Sequence, residues 1–185
     1  HEEGWFVRVF LVETGSTQSG EFRLNADRLE RSGVIAVLLA DPEQFPAIGR
    51  DEVIIDAIFG TGLRRPPAGM AAEVIRRINL AGAFVISVDI PSGLFCDDNQ
   101  RSEGDSVVMA SRTITFQFPK LAFMFSGNSR YTGAWEVVDI GLHADAISSM
   151  ATPFHYIQRE TVRPLLRTRD KFDHKGTFGH ALLVA

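Results

Sequence analysis

Val53-Ile54-Ile55-Asp56-Ala57-Ile58-Phe59 runs straight into Gly60-Thr61-Gly62, and Phe84-Val85-Ile86-Ser87-Val88-Asp89-Ile90 runs straight into Pro91-Ser92-Gly93. Each run is short, nearly all apolar, rich in β-branched residues and closed by turn formers, the pattern of a strand buried on both faces. Between them, residues 68–80 carry Val74, Ile75 and Ile78 on one side of a helical period. Strand, helix, strand in that order is the unit of a parallel sheet. The same pattern extends outward. Further strands are expected over 6–12, 34–39, 112–116 and 135–140, with a turn-rich loop over 15–20. A helix is expected over 25–32 with Asn25 near its N-cap, and another helix start at Asp41-Pro42-Glu43, where Pro and acids suit a first turn. The expected class is α/β, a three-layer αβα, Rossmann-like arrangement on a mostly parallel sheet. Ligands of such sheets sit beyond the carboxyl ends of the strands.

Composition restricts the function. The 185 residues are 45% hydrophobic and 23% charged, which is globular material, and the net charge of -4 comes without a Lys/Arg cluster. A nucleic-acid face is not expected. Arg64-Arg65 and Arg76-Arg77 read as a loop tip and a solvated helix face. The single cysteine, Cys96, cannot form an internal disulfide, so a reducing, cytoplasmic setting is expected. No apolar run approaches the roughly 20 residues of a membrane span. Residues 158–175 are polar and basic and read as a linker, and 176–185 read as the first strand of another domain. The start at His1-Glu2-Glu3, already like the tail of a helix, and the end inside an apolar run read as an internal piece of a longer protein.

Three strand ends carry chemistry. Asp56 lies inside an apolar strand, where a carboxylate is costly unless a cation, a ligand hydroxyl or backbone amides meet it. Gly60-Thr61-Gly62 lets backbone approach an anionic group closely. A strand-capping aspartate followed by a glycine loop of purely geometric use is an equally good reading of this stretch alone. Val88-Asp89-Ile90-Pro91-Ser92-Gly93 repeats the theme one strand on, and two strand-end acids on neighbouring strands converge on one crevice. Its oxygen donors, Asp56 and Ser92 among them, suit a hard cation. No zinc spacing exists, and Ser92 lacks the context of a nucleophile elbow. Lys120, after Thr113-Ile114-Thr115-Phe116-Gln117-Phe118-Pro119, is either a phosphate contact or a solvated strand-end lysine.

Taken in order, DAIFGTGL with the later Pro66, VISVDIPSGL, TITFQFPKLA and the WEVVDIGL element resemble the YjeF N-terminal domain, the family of the NAD(P)HX epimerases. HKGTFGHALLVA at the end resembles the opening of a ribokinase-like NAD(P)HX dehydratase domain. The resemblance covers almost the whole chain and implies an epimerase domain over 1–157. It also implies repair of NADHX and NADPHX, nicotinamide nucleotides hydrated on the ring. The epimerase interconverts their R and S forms, and the fused dehydratase removes water from the S form with ADP or ATP and Mg2+.

By the same resemblance, Asp56 and Ser92 match a K+-binding acid and hydroxyl. Gly60, Thr61, Gly62, Leu63, Arg64, Arg65 and Pro66 match the loop that holds substrate, and Asp89 matches a further substrate-binding acid. Epimerisation needs reversible C–O or C–N cleavage at the hydrated carbon, which a proton-shuttling carboxylate assists. Asp56 is the first candidate, and Asp89 takes its place if Asp56 is only a cation ligand. The family's Asn-Asn-Gly-Gly-Asp loop has no counterpart here; it would lie before His1. Dimers are common in the family, so a homo-oligomer is among the expected partners. The competing readings are a non-catalytic binding or dimerisation module and an NAD(P)-dependent dehydrogenase. No Gly-x-Gly-x-x-Gly follows a first strand, which counts against the dehydrogenase.

Overall fold

Strand ends in this protein fall where a side chain or a tight turn takes over the backbone amides. The computed structural model describes residues 4–15, 19–97 and 106–183. The expected helical tail at His1-Glu2-Glu3 lies outside them, as do Val184 and Ala185. The chain divides into two compact units, His1–His143 and Ala144–Ala185.

The first unit contains every strand among the described residues. They are β1 (Val9–Val12), β2 (Ala36–Leu39), β3 (Val53–Asp56), β4 (Phe84–Val88), β5 (Arg112–Phe116) and β6 (Ala134–Val138). β1 and β2 form a parallel pair, and β3-β4-β5-β6 form a four-stranded sheet in that order, parallel throughout. Strand neighbours that are consecutive in the chain and parallel require a crossover. Helix α2 (Gly69–Ala81) supplies the one between β3 and β4, after α1 (Gly20–Arg31) has linked β1 to β2. The α/β class and parallel sheet therefore stand as expected.

The core forms where α2 meets both sheets. Val74, Ile75 and Ile78 are buried against Leu39, Val85 and Val108, with Phe10, Val12 and Ile54 packed alongside. Full burial of such side chains stabilises by about 1.5–3 kcal/mol each. α2 ends at Gly82, whose left-handed φ of 67° closes the helix at little steric cost. On the opposite face Val53 and Ile55 stay 58% and 59% exposed. A second cluster of Ile90, Leu94, Val107, Ala122 and Tyr131 sits under the loop after β4 and beside the short α3 (Ser129–Thr132).

Several boundaries differ from expectation, each for a local reason. Asn25 does not cap α1: Ser19, extended, accepts from the Phe22 amide at 3.1 Å, and the helix starts a turn and a half earlier. Asp41 caps only a 3-10 turn, Pro42–Gln44, but with a full capping box. β3 stops at Asp56 because the amides of Ile58 and Phe59 donate to the Asp56 carboxylate and the Ser92 hydroxyl. β6 stops at Val138 because the Ile140 amide donates to Gln117 Oε1 and the Gly141 amide to Asp139 Oδ1.

The second unit holds α4 (Ala144–Ser149), α5 (Arg159–Val162) and two 3-10 turns, Arg163–Leu165 and Lys175–Phe178. None of its described residues is buried. The division falls before the boundary expected after residue 157, since the last strand and its turn are complete by Gly141. The strand expected over 176–185 does not form among the described residues. His174 instead caps a 3-10 turn, accepting from the Gly176 amide, and 179–183 run without a partner strand. An apolar run becomes a strand only where a neighbour takes its amides.

Candidate active site

Asp56 is the last residue of β3 and only 1% exposed. In the parallel register it stands beside Ser87 of β4. Residues paired in register share a sheet face, so Ser87 Oγ donates to Asp56 Oδ2 at 2.7 Å. The Ser92 amide donates to the same oxygen at 2.9 Å, and Oδ1 accepts a long 3.4 Å contact from Ile58 N. No Lys or Arg among the described residues pairs with this carboxylate. Burial therefore raises its pKa above the ordinary range, against the pull of the Ser92, Ser87 and Ile58 donors. The result is a buried acid whose desolvation is only partly compensated.

Ser92 lies in a turn that is buried throughout, from Pro91 to Phe95. Its Oγ accepts from the Phe59 amide at 2.9 Å and stands 3.4 Å from the Phe59 carbonyl. Asp56 and Ser92 thus cross-link the loop after β3 to the loop after β4. Gly93 makes the turn feasible. Its φ is +96°, and a Cβ there would sit 2.0 Å from the Ser106 carbonyl oxygen.

Asp89 follows β4 with a left-handed φ of 68°. It is the centre of a three-residue turn in which the Ile90 amide donates to the Val88 carbonyl at 2.9 Å. Its carboxylate turns toward β5. Oδ1 accepts from the Phe116 amide at 3.1 Å, pairs with Lys120 Nζ at 2.8 Å and lies 3.4 Å from Thr115 Oγ1. The two acids share no partner: Asp56 is held within the β3–β4 pair, Asp89 between β4 and β5. Asp89 also keeps 18% of its side chain exposed, whereas Asp56 is shut in.

The loop over 60–66 lies on the surface. Gly60, Thr61, Gly62, Arg64, Arg65 and Pro66 are exposed and Leu63 is half-buried. A turn closes it, Leu63 N donating to the Gly60 carbonyl at 3.3 Å. Neither Gly60 nor Gly62 has a positive φ, and a Cβ on either would touch nothing within 4 Å. Folding does not require glycine at these two places; their bareness leaves open space over the backbone.

The remaining candidates resolve simply. Lys120 is neither a solvated lysine nor turned outward to a phosphate, since its ammonium also donates to the Phe116 and Phe118 carbonyls. Arg76 and Arg77 pair with Glu73 on the face of α2, as a solvated face does. Burial, followed by the Asp97 charge, pushes the Cys96 thiol up to about 11, far from a nucleophile's range. Ser87 and Thr115 escaped the sequence reading. The available signal was a hydroxyl recurring at inward positions of otherwise apolar strands, as in Ser87, Thr113 and Thr115.

Known proteins resemble this chain over most of its length. A bifunctional NAD(P)H-hydrate repair enzyme Nnr of Thermofilum pendens is 36% identical over 184 residues, covering 97% of this chain and 34% of that protein. An NAD(P)H-hydrate epimerase of Anaerococcus prevotii is 34% identical over 154 residues, 80% of this chain and 67% of its own length. The chain therefore spans about a third of the bifunctional relative and two thirds of the epimerase. The crystal structure of yeast ynu0 superposes with a TM-score of 0.53 at 18% identity, over 79% of this chain and 60% of that one, a likeness of fold. Residues 1–122 match the model of the YjeF-related protein N-terminus, and the chain belongs to that family.

Proposed function

We propose that the protein epimerises hydrated nicotinamide nucleotides, interconverting the R and S forms of NADHX and NADPHX. The observation that carries this is the division of labour between two acids at adjacent strand ends. Asp56 is buried and cross-links the two loops; Asp89 is partly exposed and anchored through a single oxygen. An acid that moves a proton must reach the substrate, and on that ground Asp89 is the acid/base rather than Asp56.

Asp56 then serves as a cation ligand. The Asp56 carboxylate, the Ser92 hydroxyl and the Phe59 carbonyl beside it form an all-oxygen donor set, which fits a hard monovalent cation such as K+. Bound there, the ion supplies positive charge that offsets the buried carboxylate and favours anionic groups of the substrate. The protein's own contribution is to orient. The open backbone at Gly60, Thr61 and Gly62 receives the nucleotide, Leu63 and Pro66 shape the loop, and Arg64 and Arg65 provide charge for phosphates. Among the described residues no helix is long and apolar enough to cross a membrane; with one cysteine, a cytoplasmic setting and a small-molecule substrate complete the reading. In a protein as long as the bifunctional relatives, a following domain would dehydrate the S form with ADP or ATP and Mg2+.

The test is epimerisation of authentic R-NADHX by the full-length protein and its Asp89→Asn variant, followed by chromatography. The expected result is a loss of at least about 100-fold in kcat for the variant, the usual scale of general acid–base catalysis. An unchanged rate in Asp89→Asn removes Asp89 from the mechanism, and absence of epimerisation by the parent protein removes the function itself.

A further inference from the structure

We propose that Lys120 is a positioning residue for this reaction, acting through Asp89; the inference rests on the reading of Asp89 given above. The geometry is specific. Asp89 Oδ1 meets three groups: it forms an ion pair with the Lys120 ammonium at 2.8 Å and accepts from the Phe116 amide at 3.1 Å and the Thr115 hydroxyl at 3.4 Å. Among the described residues none donates to Oδ2. One oxygen is an anchor and the other is left for chemistry.

The anchor is itself held. Lys120 Nζ donates further to the carbonyls of Phe116 and Phe118, at 3.0 and 3.2 Å. With the ion pair to Asp89, the ammonium has three oxygen neighbours within 3.2 Å. The two carbonyls flank Gln117, whose φ of 61° is, with that of Asp89, one of two left-handed values among the described non-glycine residues. Gln117 is also the centre of a three-residue turn, Phe118 N donating to the Phe116 carbonyl at 2.6 Å. Neighbouring parallel strands thus end in the same sparsely populated turn, and Lys120 spans both. Backbone conformations of this kind persist only where the surroundings over-determine them, and they collect at functional sites. Gln117 Oε1 extends the chain of contacts by accepting from the Ile140 amide beyond β6. At 12% exposure, Lys120 is already committed to these three oxygens.

Removing the ammonium frees Asp89 to swing about its own side chain. A misplacement of about 1 Å in a reacting group costs on the order of 100-fold. Four variants of the full-length protein test this: Lys120→Met, Lys120→Arg, Asp89→Asn and the pair Lys120→Met with Asp89→Asn. Each is first checked for a cooperative thermal transition. The expected result for Lys120→Met is a fall of roughly 10- to 100-fold in kcat with KM within about threefold. Lys120→Arg should recover a large part of that loss. In the Asp89→Asn background Lys120→Met should cost nothing more, because its effect passes through the carboxylate.

The outcomes separate the two claims. If Asp89→Asn is fully active, the acid/base reading fails and the role of Lys120 falls with it. If Asp89→Asn is impaired while Lys120→Met keeps its kcat, only the positioning role fails. A rise in KM alone, or losses that multiply in the double variant, makes Lys120 an independent substrate contact and overturns the inference. Should Lys120→Met not fold, Lys120→Gln and Lys120→Arg carry the comparison, and equal kcat in both, at the wild-type level, is the refuting result.

Discussion

Replacing Ser87 by alanine tests the buried end of β3 most directly. The Ser87 hydroxyl is fully buried and donates to Asp56 Oδ2 at 2.7 Å. A hydrogen bond to a charged group contributes about 1.5–3 kcal/mol, against about 1 kcal/mol for a neutral pair. Ser87→Ala also removes one of the few donors offsetting a buried acid, so a loss near the middle of the range, about 2 kcal/mol, is expected at pH 7. For a chain of this size that corresponds to roughly 4–8 °C in Tm. Equilibrium urea unfolding gives the number, with an unchanged m-value showing that only stability moved. The same substitution in an Asp56→Asn background should cost about 1 kcal/mol, since the hydroxyl then meets a neutral amide oxygen. The cycle therefore predicts a coupling of about 1 kcal/mol. A loss below about 0.5 kcal/mol in the first comparison, within the range of ordinary surface substitutions, or the same loss in both backgrounds, refutes the reading of Ser87 as a charge-assisted donor to Asp56.

Other outcomes follow from the same geometry. Burial raises the folded pKa of Asp56 above its model value of 3.8, so the folded state binds that proton more tightly than the unfolded chain. Its contribution to stability therefore declines as pH rises above about 4 and levels off past the raised value. In tetramethylammonium buffer, urea unfolding from pH 4 upward should show the wild type losing ground to Asp56→Asn. Potassium should restore the wild type and leave the variant unchanged, as mass action requires of a ligand of the folded state; equal response of both proteins removes the cation from this site. Gly93→Ala forces a Cβ to 2.0 Å from the Ser106 carbonyl at a φ of +96°, and should cost about 3 kcal/mol or prevent folding, read by urea midpoint or soluble yield. Arg64→Ala and Arg65→Ala should each raise KM for NADPHX several-fold with stability unchanged, since both side chains are exposed on the loop; steady-state kinetics on the full-length protein decides.

The sequence carried the fold because strand and helix write different patterns into it: VII before Asp56 and FVISV before Asp89 are short apolar runs that pair in parallel, although one face of β3 stays exposed. It carried the identity of Asp56, Asp89 and Ser92 because an acid or hydroxyl after such a run is conspicuous. It did not carry who meets whom. That Asp56 faces Ser87 depends on a register across two strands, and that Asp89 turns to Lys120 depends on a left-handed φ that no local preference for aspartate demands. Asn25 misled because its own preference for a cap is real; Ser19 merely offered one first, six residues earlier. The apolar run at the end of the chain forms no strand among the described residues, because hydrophobicity suits a segment to pairing and a strand also needs a neighbour to take its amides.

The Asp56–Ser87 pair also bears on how the sheet assembles. Strands that are apolar nearly throughout carry little information about alignment, since a shift of β3 against β4 still sets one branched side chain beside another. A shift by a single residue, however, would remove the carboxylate from Ser87 and turn it to the other face of the sheet. The acid is thus a registration mark. Misaligned pairings of β3 and β4 leave the acid without that partner, so the contact that holds the strand ends together also favours one alignment over its neighbours.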